Sequence, residues 1–285
     1  MKNPAVSQHL TPSRLALALS ATLSCLHCAP TWGTVTVTGP YWLVPYEPLI
    51  LGPGDIDLPS SWLVIGAGAP GSFSVTAGSR VLLGGLGLAS AGGSASGLID
   101  GSGTRVELGF GANQGRLDVG HFGTAELTVS GGASVDGRVN NAACALGGCN
   151  SFIGSTAGSS GTLNITGAGS HVGLLGRFYI AGTYADTGFG TPGADSHGTV
   201  NLSNGGLLTT DEAAVGNSYL GPASLGNERS FAAVNIQGAG SRRQVTGGTA
   251  TARGQFDRHR HRLPASADRR CRSGRFAYRR GRWLR

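Results

Sequence analysis

The fold is decided by Gly161-Thr162-Leu163-Asn164-Ile165-Thr166-Gly167-Ala168-Gly169-Ser170, because the chain repeats this pattern. Each copy reads apolar, polar, apolar, the period-two pattern of a short strand with one buried face, and then breaks at a turn rich in Gly and Ser or Ala. Successive copies start 25, 29, 36, 37 and 34 residues apart, which is the spacing of stacked repeat units. The six copies are Phe73-Ser74-Val75, Leu98-Ile99-Asp100, Leu127-Thr128-Val129, Leu163-Asn164-Ile165, Val200-Asn201-Leu202 and Val234-Asn235-Ile236.

Two further strand types recur in these units. A second strand follows the glycine turn, and a third strand ends in glycine. Three short strands and three turns per unit predict an all-β fold, a parallel β-helix (solenoid) of Gly-rich repeats over residues 62–248. The second strands are Arg80-Val81-Leu82, Arg105-Val106-Glu107 and His171-Val172-Gly173; the third are Leu63-Val64-Ile65-Gly66, Leu117-Asp118-Val119-Gly120, Ser151-Phe152-Ile153-Gly154, Tyr179-Ile180-Ala181-Gly182 and Ala213-Ala214-Val215-Gly216.

The composition excludes several other classes of protein. The 285 residues include 50 Gly without the every-third spacing of collagen, and 40% apolar residues at strand spacing argue against disorder in the repeats. Residues 250–285 hold 12 Arg against two Asp, which is +10 of a total charge of +7 and leaves −3 (7 minus 10) for residues 1–249. An acidic body, without lysine once the first few residues are set aside, argues against nucleic-acid binding.

Residues 1–29 are expected to be an export signal. Lys2 and Arg14 lie in a polar start, and the apolar stretch from Leu15 to Leu26 is too short to span a bilayer and fits the core of a signal peptide. The sequence leaves the cleavage point open. The pair Cys25-x-x-Cys28 is interpreted as incidental to this segment and not as a metal or redox motif.

Residues 30–61 are predicted to form an N-terminal cap. They begin with the alternating strand Thr34-Val35-Thr36-Val37-Thr38 and continue into a loop rich in Pro and aromatic residues. A solenoid exposes a hydrophobic cross-section at each end, so its terminal units are atypical. The alternative is that Tyr41, Trp42 and Tyr46 form an aromatic platform for a carbohydrate ligand.

Five side chains of the repeat body are candidates for site chemistry. Cys144 and Cys149 can close a short disulfide loop in an oxidising compartment, whereas two thiols alone make a poor zinc site. His121, His171 and His197 fall in predicted turns or loops without a Ser, Cys or carboxylate partner at a catalytic spacing, so we expect solvated histidines. The sequence predicts no metal, no cofactor and no small-molecule substrate.

The carboxylates give no catalytic cluster in the sequence. Asp55 with Asp57, or Asp211 with Glu212, are the available pairs, but neighbouring strand residues point to opposite faces, and no carboxylates recur at one phase of successive units. Asp100 stands where other copies place an apolar residue, so we expect a local register shift or exposure there. The chain is therefore predicted not to be an enzyme.

Four motifs support a resemblance to a known family. They are Gly161 to Ser170, Tyr179-Ile180-Ala181-Gly182, Gly198 to Gly206 and Ala214 to Ser218. Residues 62–248 resemble the repeats in passenger regions of bacterial autotransporters, the type V secretion proteins. The resemblance implies a right-handed parallel β-helix displayed at, or released from, the outer surface of a Gram-negative bacterium. It also implies a C-terminal β-barrel translocator as partner, and no series of alternating ten-residue strands is visible here, so that barrel is expected to be missing from this chain.

The tail, residues 249–285, differs from the rest of the chain. Arg258-His259-Arg260-His261-Arg262 and Arg279-Arg280-Gly281-Arg282 have no counterpart in the repeats. Such a tail is predicted to be disordered, and a genuine basic arm would bind nucleic acid or an anionic surface. The preferred interpretation is a frame shift in GC-rich coding DNA, since a one-base shift of Arg275 to Trp283 permits Gly-Ser-Leu-Thr-Val-Gly, the repeat motif.

Two functions from different classes remain open. The first is an exported, surface-displayed passenger fragment that acts as a stalk or adhesin without catalysis and binds an unidentified receptor or glycan. The second is a secreted polysaccharide-binding or polysaccharide-processing β-helix. Charged side chains converging on one face would favour the second, whereas a bland Ser/Thr/Gly face would favour the first.

Overall fold

The computed structural model describes residues 33–44, 55–109, 115–137, 149–182, 195–215, 230–246, 250–252, 277–279 and 282–284, and the regular structure in these residues consists entirely of β-strands. The chain divides into two compact bodies, Met1–Gly254 and Gln255–Arg285. The strands are β1 (Thr34–Thr38), β2 (Tyr41–Val44), β3 (Ile56–Ile65), β4 (Gly71–Thr76), β5 (Arg80–Leu88), β6 (Ser94–Asp100), β7 (Arg105–Leu108), β8 (Arg116–Val119), β9 (Thr124–Ser130), β10 (Ser134–Gly137), β11 (Ser151–Ile153), β12 (Ser160–Thr166), β13 (His171–Ile180), β14 (Ser196–Ser203), β15 (Leu207–Val215), β16 (Ser230–Gln237), β17 (Arg242–Val245), β18 (Ala250–Ala252), β19 (Ala277–Arg279) and β20 (Arg282–Leu284).

Sheet 1 has seven strands in the order β1-β4-β6-β9-β12-β14-β16. Its last six strands are parallel, and β1 runs antiparallel to β4. Leu163 pairs with Leu127 on one side and with Val200 on the other. The predicted alignment of these repeat copies is therefore confirmed.

Sheet 2 contains the remaining eleven strands of the first body. The first half of β5 pairs with β7 and its second half with β8, while β13 pairs in the same way with β10 and β11. The pairings β10–β7–β5–β8–β11–β13–β10 therefore close a ring of parallel strands. At the start of the sheet, β2 runs antiparallel to β3.

The prediction of a right-handed parallel β-helix is wrong. The structure has a closed six-stranded parallel barrel together with mixed sheets, in place of uniform coils with three separate sheets. The reason lies in β5 and β13, each of which continues through a glycine, Gly85 or Gly176, within one sheet. In β13 this joins the predicted second strand, from His171, to the predicted third strand, from Tyr179. No sharp turn divides β5 or β13 into two strands. Each therefore pairs with two neighbours, β7 and β8 or β10 and β11, which the sequence pattern assigned to different faces of the solenoid.

The predicted domain boundaries fall partly outside the described residues. Residues 1–29 and 45–54 lie outside them, whereas β1, β2 and most of β3 come from the predicted cap. β18 lies within the predicted tail and pairs in register with β15. In the second body, β19 and β20 form an antiparallel pair. The disorder and the frame shift predicted for the tail stay predictions.

One apolar core joins the two sheets of the first body. Strands of sheet 1 alternate buried and outward residues, as in β12. Their buried side chains pack with those of sheet 2 in a single cluster, and each fully buried aliphatic side chain contributes roughly 1.5–3 kcal/mol. One row of this core, with one residue from each successive unit of sheet 2, is fully buried: Val81, Val106, Val135, Val172 and Leu208.

The expected register shift at Asp100 is confirmed. Asp100 pairs with Thr76 and Ser130 at outward positions, and Ile99 takes the core position beside Val75. The predicted copy Leu98-Ile99-Asp100 is therefore displaced by one residue. The partly exposed Asp100 carboxylate accepts a hydrogen bond from Ser130 Oγ at 2.5 Å.

A left-handed corner follows the third strand of successive units. Gly66, Ala89, Gly120, Gly154 and Ala181 occupy it, with φ from 50° to 73°. Each of the last four donates its N–H to a carbonyl of the preceding unit at 2.8–2.9 Å. The predicted strand Tyr179-Ile180-Ala181-Gly182 assigned this corner to Gly182. In the structure the corner lies one residue earlier, at Ala181, which holds a backbone conformation that usually favours glycine.

Candidate functional site

The outer side of sheet 1 carries a regular array of short polar side chains, which we call the polar face. Outward residues alternate with core residues along each strand, and most of them are exposed or half-exposed. The polar face consists of Ser72, Ser74, Thr76, Ser96, Glu126, Thr128, Ser130, Thr162, Asn164, Thr166, Thr199, Asn201, Ser203 and Asn235.

A ladder of amides runs across the polar face. Asn235 Nδ2 donates to Asn201 Oδ1 at 2.8 Å, and Asn201 Nδ2 donates to Asn164 Oδ1 at 2.7 Å. Asn164 Nδ2 then donates to Glu126 Oε1 at 2.6 Å. Every step joins two neighbouring strands, so the ladder holds four successive units in register. Its charged end is the Glu126 carboxylate.

Hydroxyl groups make similar links elsewhere on sheet 1. Ser203 Oγ donates to Thr166 Oγ1 at 2.8 Å. The hydroxyls of Thr34 and Thr76 lie 2.8 Å apart, so β1 joins the array despite its reversed direction. Cross-strand pairs of this kind stabilise a sheet by roughly 0.2–1 kcal/mol each.

The outer side of sheet 2 carries a polar groove near its N-terminal end, which we call the charged groove. Asp55, Arg80, Arg105 and Ser134 line a cavity of about 420 Å³ there, together with backbone of the neighbouring turns. Glu107 pairs with Arg80 at 2.6 Å and with Arg105 at 3.0 Å. The hydrogen bond from Arg80 to Glu107, followed by the attraction of that carboxylate, raises the pKa of Arg80.

The charged groove corrects one prediction about carboxylates. Glu107 and Asp136 lie directly opposite each other on β7 and β10, so carboxylates do recur at one phase of successive units. The sequence pattern did not reveal this register, because the strand that contains Asp136 is only four residues long. Residues 138–148, which follow it, lie outside the described part. Asp55 accepts a hydrogen bond from the Arg80 N–H, and Asp57 pairs with Leu82.

A second group on the outer side of sheet 2 consists of the half-buried Trp62 and four buried residues, and we call it the aromatic cluster: Trp62, Arg116, Asp118, Phe152 and Tyr179. Arg116 binds Asp118 through Nε at 2.7 Å and through Nη2 at 2.6 Å, and both residues are buried. The Arg116 guanidinium lies 4.9 Å from the Trp62 ring centroid and 4.7 Å from that of Phe152. Phe152 stacks on Tyr179 at 5.2 Å.

Glycines make room for this cluster. A Cβ on Gly85 would lie 3.5 Å from the Trp62 ring, and one on Gly87 would lie 3.2 Å from its Nε1. The indole therefore covers two glycine positions of β5. A buried charge pair with two aromatic rings against its guanidinium costs desolvation, which the two short contacts between Arg116 and Asp118 offset.

His121 is buried beside the aromatic cluster, so the prediction of a solvated turn histidine is wrong for it. Its Nδ1 contacts Ser155 Oγ, and its ring lies 4.6 Å from Phe152. Burial lowers the pKa of His121 to about 4; the charge of Asp118 opposes this shift and that of Arg116 adds to it. His121 and Ser155 each follow a corner glycine in successive units, and aligning those corners would have found the pair.

The other two predicted histidines lie in strands and not in turns. His171 begins β13, is half-buried, and its Nε2 lies 3.2 Å from Thr209 Oγ1. His197 is exposed on β14, where its ring stacks on Phe231 at 4.7 Å. The structure brings none of the three histidines together.

Cys149 is disulfide-bonded, in agreement with its predicted role. Its side chain is buried next to Gly176, whose Cβ position would lie 3.0 Å from Cys149 Cβ. Cys144 lies outside the described residues. The pairing of Cys144 with Cys149 therefore stays a prediction.

The predicted aromatic platform is not formed by its described members. Tyr41 and Trp42 are both exposed, but they are consecutive in β2 and so point to opposite faces. Tyr46 lies outside the described residues. A sugar ring could therefore stack on Tyr41 or on Trp42 but not on both.

The second carboxylate pair in the sequence, Asp211 and Glu212, does not act as a pair either, because each residue binds a different side chain. Asp211 accepts a hydrogen bond from Thr246 Oγ1 at 2.7 Å, whereas Glu212 accepts one from Arg177 Nε at 2.8 Å. The hydrogen bond to Glu212, followed by that to Tyr179, raises the pKa of Arg177. These two carboxylates support neighbouring strands and do not converge.

Comparison with known proteins gives no relative. No protein-family model, no curated protein and no solved structure matches this sequence. Within the described residues, no group of three or more His, Cys, Asp or Glu side chains is placed to hold a metal ion. That part of the chain also lacks a helix long and apolar enough to cross a bilayer.

Proposed function

We propose that the chain is an exported, surface-displayed passenger of the autotransporter kind, which acts as a stalk or adhesin without catalysis. The observation that supports this proposal is the polar face. Its amides and hydroxyls bind the equivalent groups of the next unit, so their hydrogen bonds are spread along the sheet and do not converge on one point.

A face of this kind is better suited to contact with an extended surface than to catalysis. A catalytic centre needs groups that meet at one reacting atom. The polar face instead offers repeated small dipoles at strand spacing, about 4.8 Å, over several units. We expect it to contact a hydroxyl-rich surface such as a glycan layer through many weak hydrogen bonds.

Cell adhesion tests this proposal. The full chain is joined to a β-barrel translocator and displayed on a non-adherent Gram-negative host, and cell retention is measured on immobilised polysaccharides and on an animal-cell layer. We expect retention on at least one surface, and loss of it in a triple variant with Asn164, Asn201 and Asn235 changed to alanine. Normal retention by that variant, at equal surface amounts, would contradict the role of the polar face.

A second candidate, a polysaccharide-binding or polysaccharide-processing protein, is favoured by the charged groove. Arg80 and Arg105 line the groove and pair with Glu107, and Asp136 lies opposite Glu107 on the neighbouring strand. Both arginines are already paired with Glu107, which is why we rank this function second. Release of reducing sugar from a soluble polysaccharide, abolished by Glu107→Gln, would favour it over the first candidate.

A further inference from the structure

The C-terminal end of the first body leaves strands unpartnered. Among the described residues, β16 pairs only with β14, and β17 and β18 pair only with β15. Within the described ranges, the backbone N–H and C=O groups on the far side of β16 pair with no strand, and a sheet edge of this kind can accept a further strand.

Core positions become exposed at this end. Val200 and Leu202 of β14 are almost completely buried, whereas the residues next to them in register are Val234, which is partly buried, and Ile236, which is 44% exposed. Val234 and Ile236 keep the apolar character of the row although their outer side has no neighbour among the described residues. The last strand of sheet 1 therefore offers an apolar surface.

Arg243 stands at the end of the fully buried row of sheet 2. It pairs in register with Leu208, so it occupies a core-facing position where the preceding units have Val or Leu. Its Nε and Nη2 are buried without a hydrogen-bond partner among the described residues, and burial lowers its pKa. An unpaired guanidinium in such a place is costly unless a carboxylate binds it.

The amide ladder also ends here. Asn235 Nδ2 is bonded to Asn201, and no described residue donates to Asn235 Oδ1. In the preceding steps of the ladder this oxygen accepts from the asparagine of the next unit. A further strand with a donor side chain at this position would extend the ladder.

We infer that this end binds one strand-turn-strand segment of another polypeptide, whose first strand pairs with β16 and whose second strand places a carboxylate against Arg243. Main-chain hydrogen bonds to a sheet edge give affinity, and side-chain pockets give specificity. The partner segment has an apolar residue on each side of an Asn, Ser or Thr that meets Asn235. It has Asp or Glu seven or eight residues later, because Arg243 follows Asn235 by eight residues, whereas Leu208, which pairs with Arg243, follows Asn201 by seven.

Charge complementarity favours this partner over a second copy of the chain. A second copy docked at the same end brings a second Arg243 toward the apolar core and supplies no carboxylate at that position. An acidic strand instead neutralises the cation and covers Ile236.

Binding of three peptides to the full chain tests the inference. The first peptide is residues 196–215 of this sequence, which carries Val200, Asn201 and Leu208 at the required spacing. The second has Leu208→Glu, so that its carboxylate meets Arg243. The third has Leu207→Glu, which has the same charge on the outward side of the strand. Affinities are measured by fluorescence anisotropy.

We expect the L208E peptide to bind about tenfold more tightly than either of the others, since a close charge pair at an interface favours binding by at least this factor. Arg243→Leu in the chain should reverse the preference between the L208E and the unchanged peptide. Equal binding of the L208E and L207E peptides, or no binding of any, would overturn the inference. A chain dimer in light scattering that excludes all three peptides would assign the end to a second copy and would also overturn it.

Discussion

The outer sides of the two sheets follow the same alternation of residues but differ in burial. On sheet 1 the outward side chains are short, polar and largely accessible, and they bind each other in ladders. On sheet 2 the outward residues Arg116, Asp118, Phe152 and Tyr179 are buried. The outer face of sheet 1 is therefore available for contact, whereas that of sheet 2 contains, beside the exposed charged groove, a second interior with a charge pair in it.

This difference shows that the alternation of residues along a strand determines which side chains face the common core. It does not determine whether the side chains on the opposite face are buried or exposed. Large rings and a bidentate ion pair collect where glycines leave space, as at Gly85 and Gly87. Small polar residues collect where the surface stays open to solvent. Substitutions on the two faces should therefore differ strongly in their cost.

The largest effect is expected for Asp118→Ala. This change leaves the Arg116 guanidinium buried without its carboxylate, so the free energy of unfolding should fall by about 3–5 kcal/mol. Urea denaturation followed by circular dichroism measures it. The matched control is Glu212→Gln, which breaks the exposed pair with Arg177 and should cost below about 1 kcal/mol. Equal losses in the two variants would contradict the distinction between the buried pair of Arg116 with Asp118 and the exposed pair of Arg177 with Glu212.

The next effect is a loss of stability in acid through His121. Its pKa is about 4 when folded and 6.5 when unfolded, so below pH 6.5 the unfolded chain binds the proton more strongly. The contribution is fully present above pH 6.5 and is lost as the pH falls toward 4, by about 3 kcal/mol. Unfolding free energies measured between pH 7 and 4 should show this slope.

A glutamine substitution isolates the histidine's share of that slope. His121→Gln should flatten the dependence between pH 6.5 and 4, whereas His197→Gln, at an exposed position, should leave it unchanged. A slope that survives in His121→Gln would mean that other groups titrate there, and the burial argument for His121 would fail.

The smallest effect is expected on the polar face. Asn201→Ala removes one donor and one acceptor of the ladder at a half-exposed position, so stability should fall by about 0.5–1.5 kcal/mol. Thermal unfolding measures the change. A loss as large as that of Asp118→Ala would mean that the ladder is a main support of the fold and not primarily a surface.

The repeated strands could be predicted from the sequence because local alternation and glycine turns determine them. The register of Leu127, Leu163 and Val200 is an example. The joining of strands into a closed ring could not be predicted. It depends on whether the chain turns sharply at Gly85 and Gly176 or continues in the same sheet, and glycine allows both. Ala181 was misplaced by one residue because its left-handed backbone has no signal in the residue type.

The candidate sites were harder to predict than the strands. Burial of Arg116, Asp118 and His121 follows from contacts between residues about 30 or more apart in the chain, which spacing alone does not reveal. Glu107 and Asp136 were missed for the same reason. The polar face, by contrast, follows directly from Ser, Thr and Asn at alternate positions of the copies.

Cysteine labelling in intact cells tests the central claim most directly. Ser96→Cys places a thiol on the polar face, and Tyr179→Cys places one in the aromatic cluster. The chain is joined to a β-barrel translocator and labelled with a membrane-impermeant maleimide on intact Gram-negative cells, with the unchanged chain as background. Ser96→Cys should then be labelled, and Tyr179→Cys should not be labelled until the protein is denatured. Labelling of Ser96→Cys only after lysis would contradict surface display, and equal labelling of both would contradict the difference between the two faces.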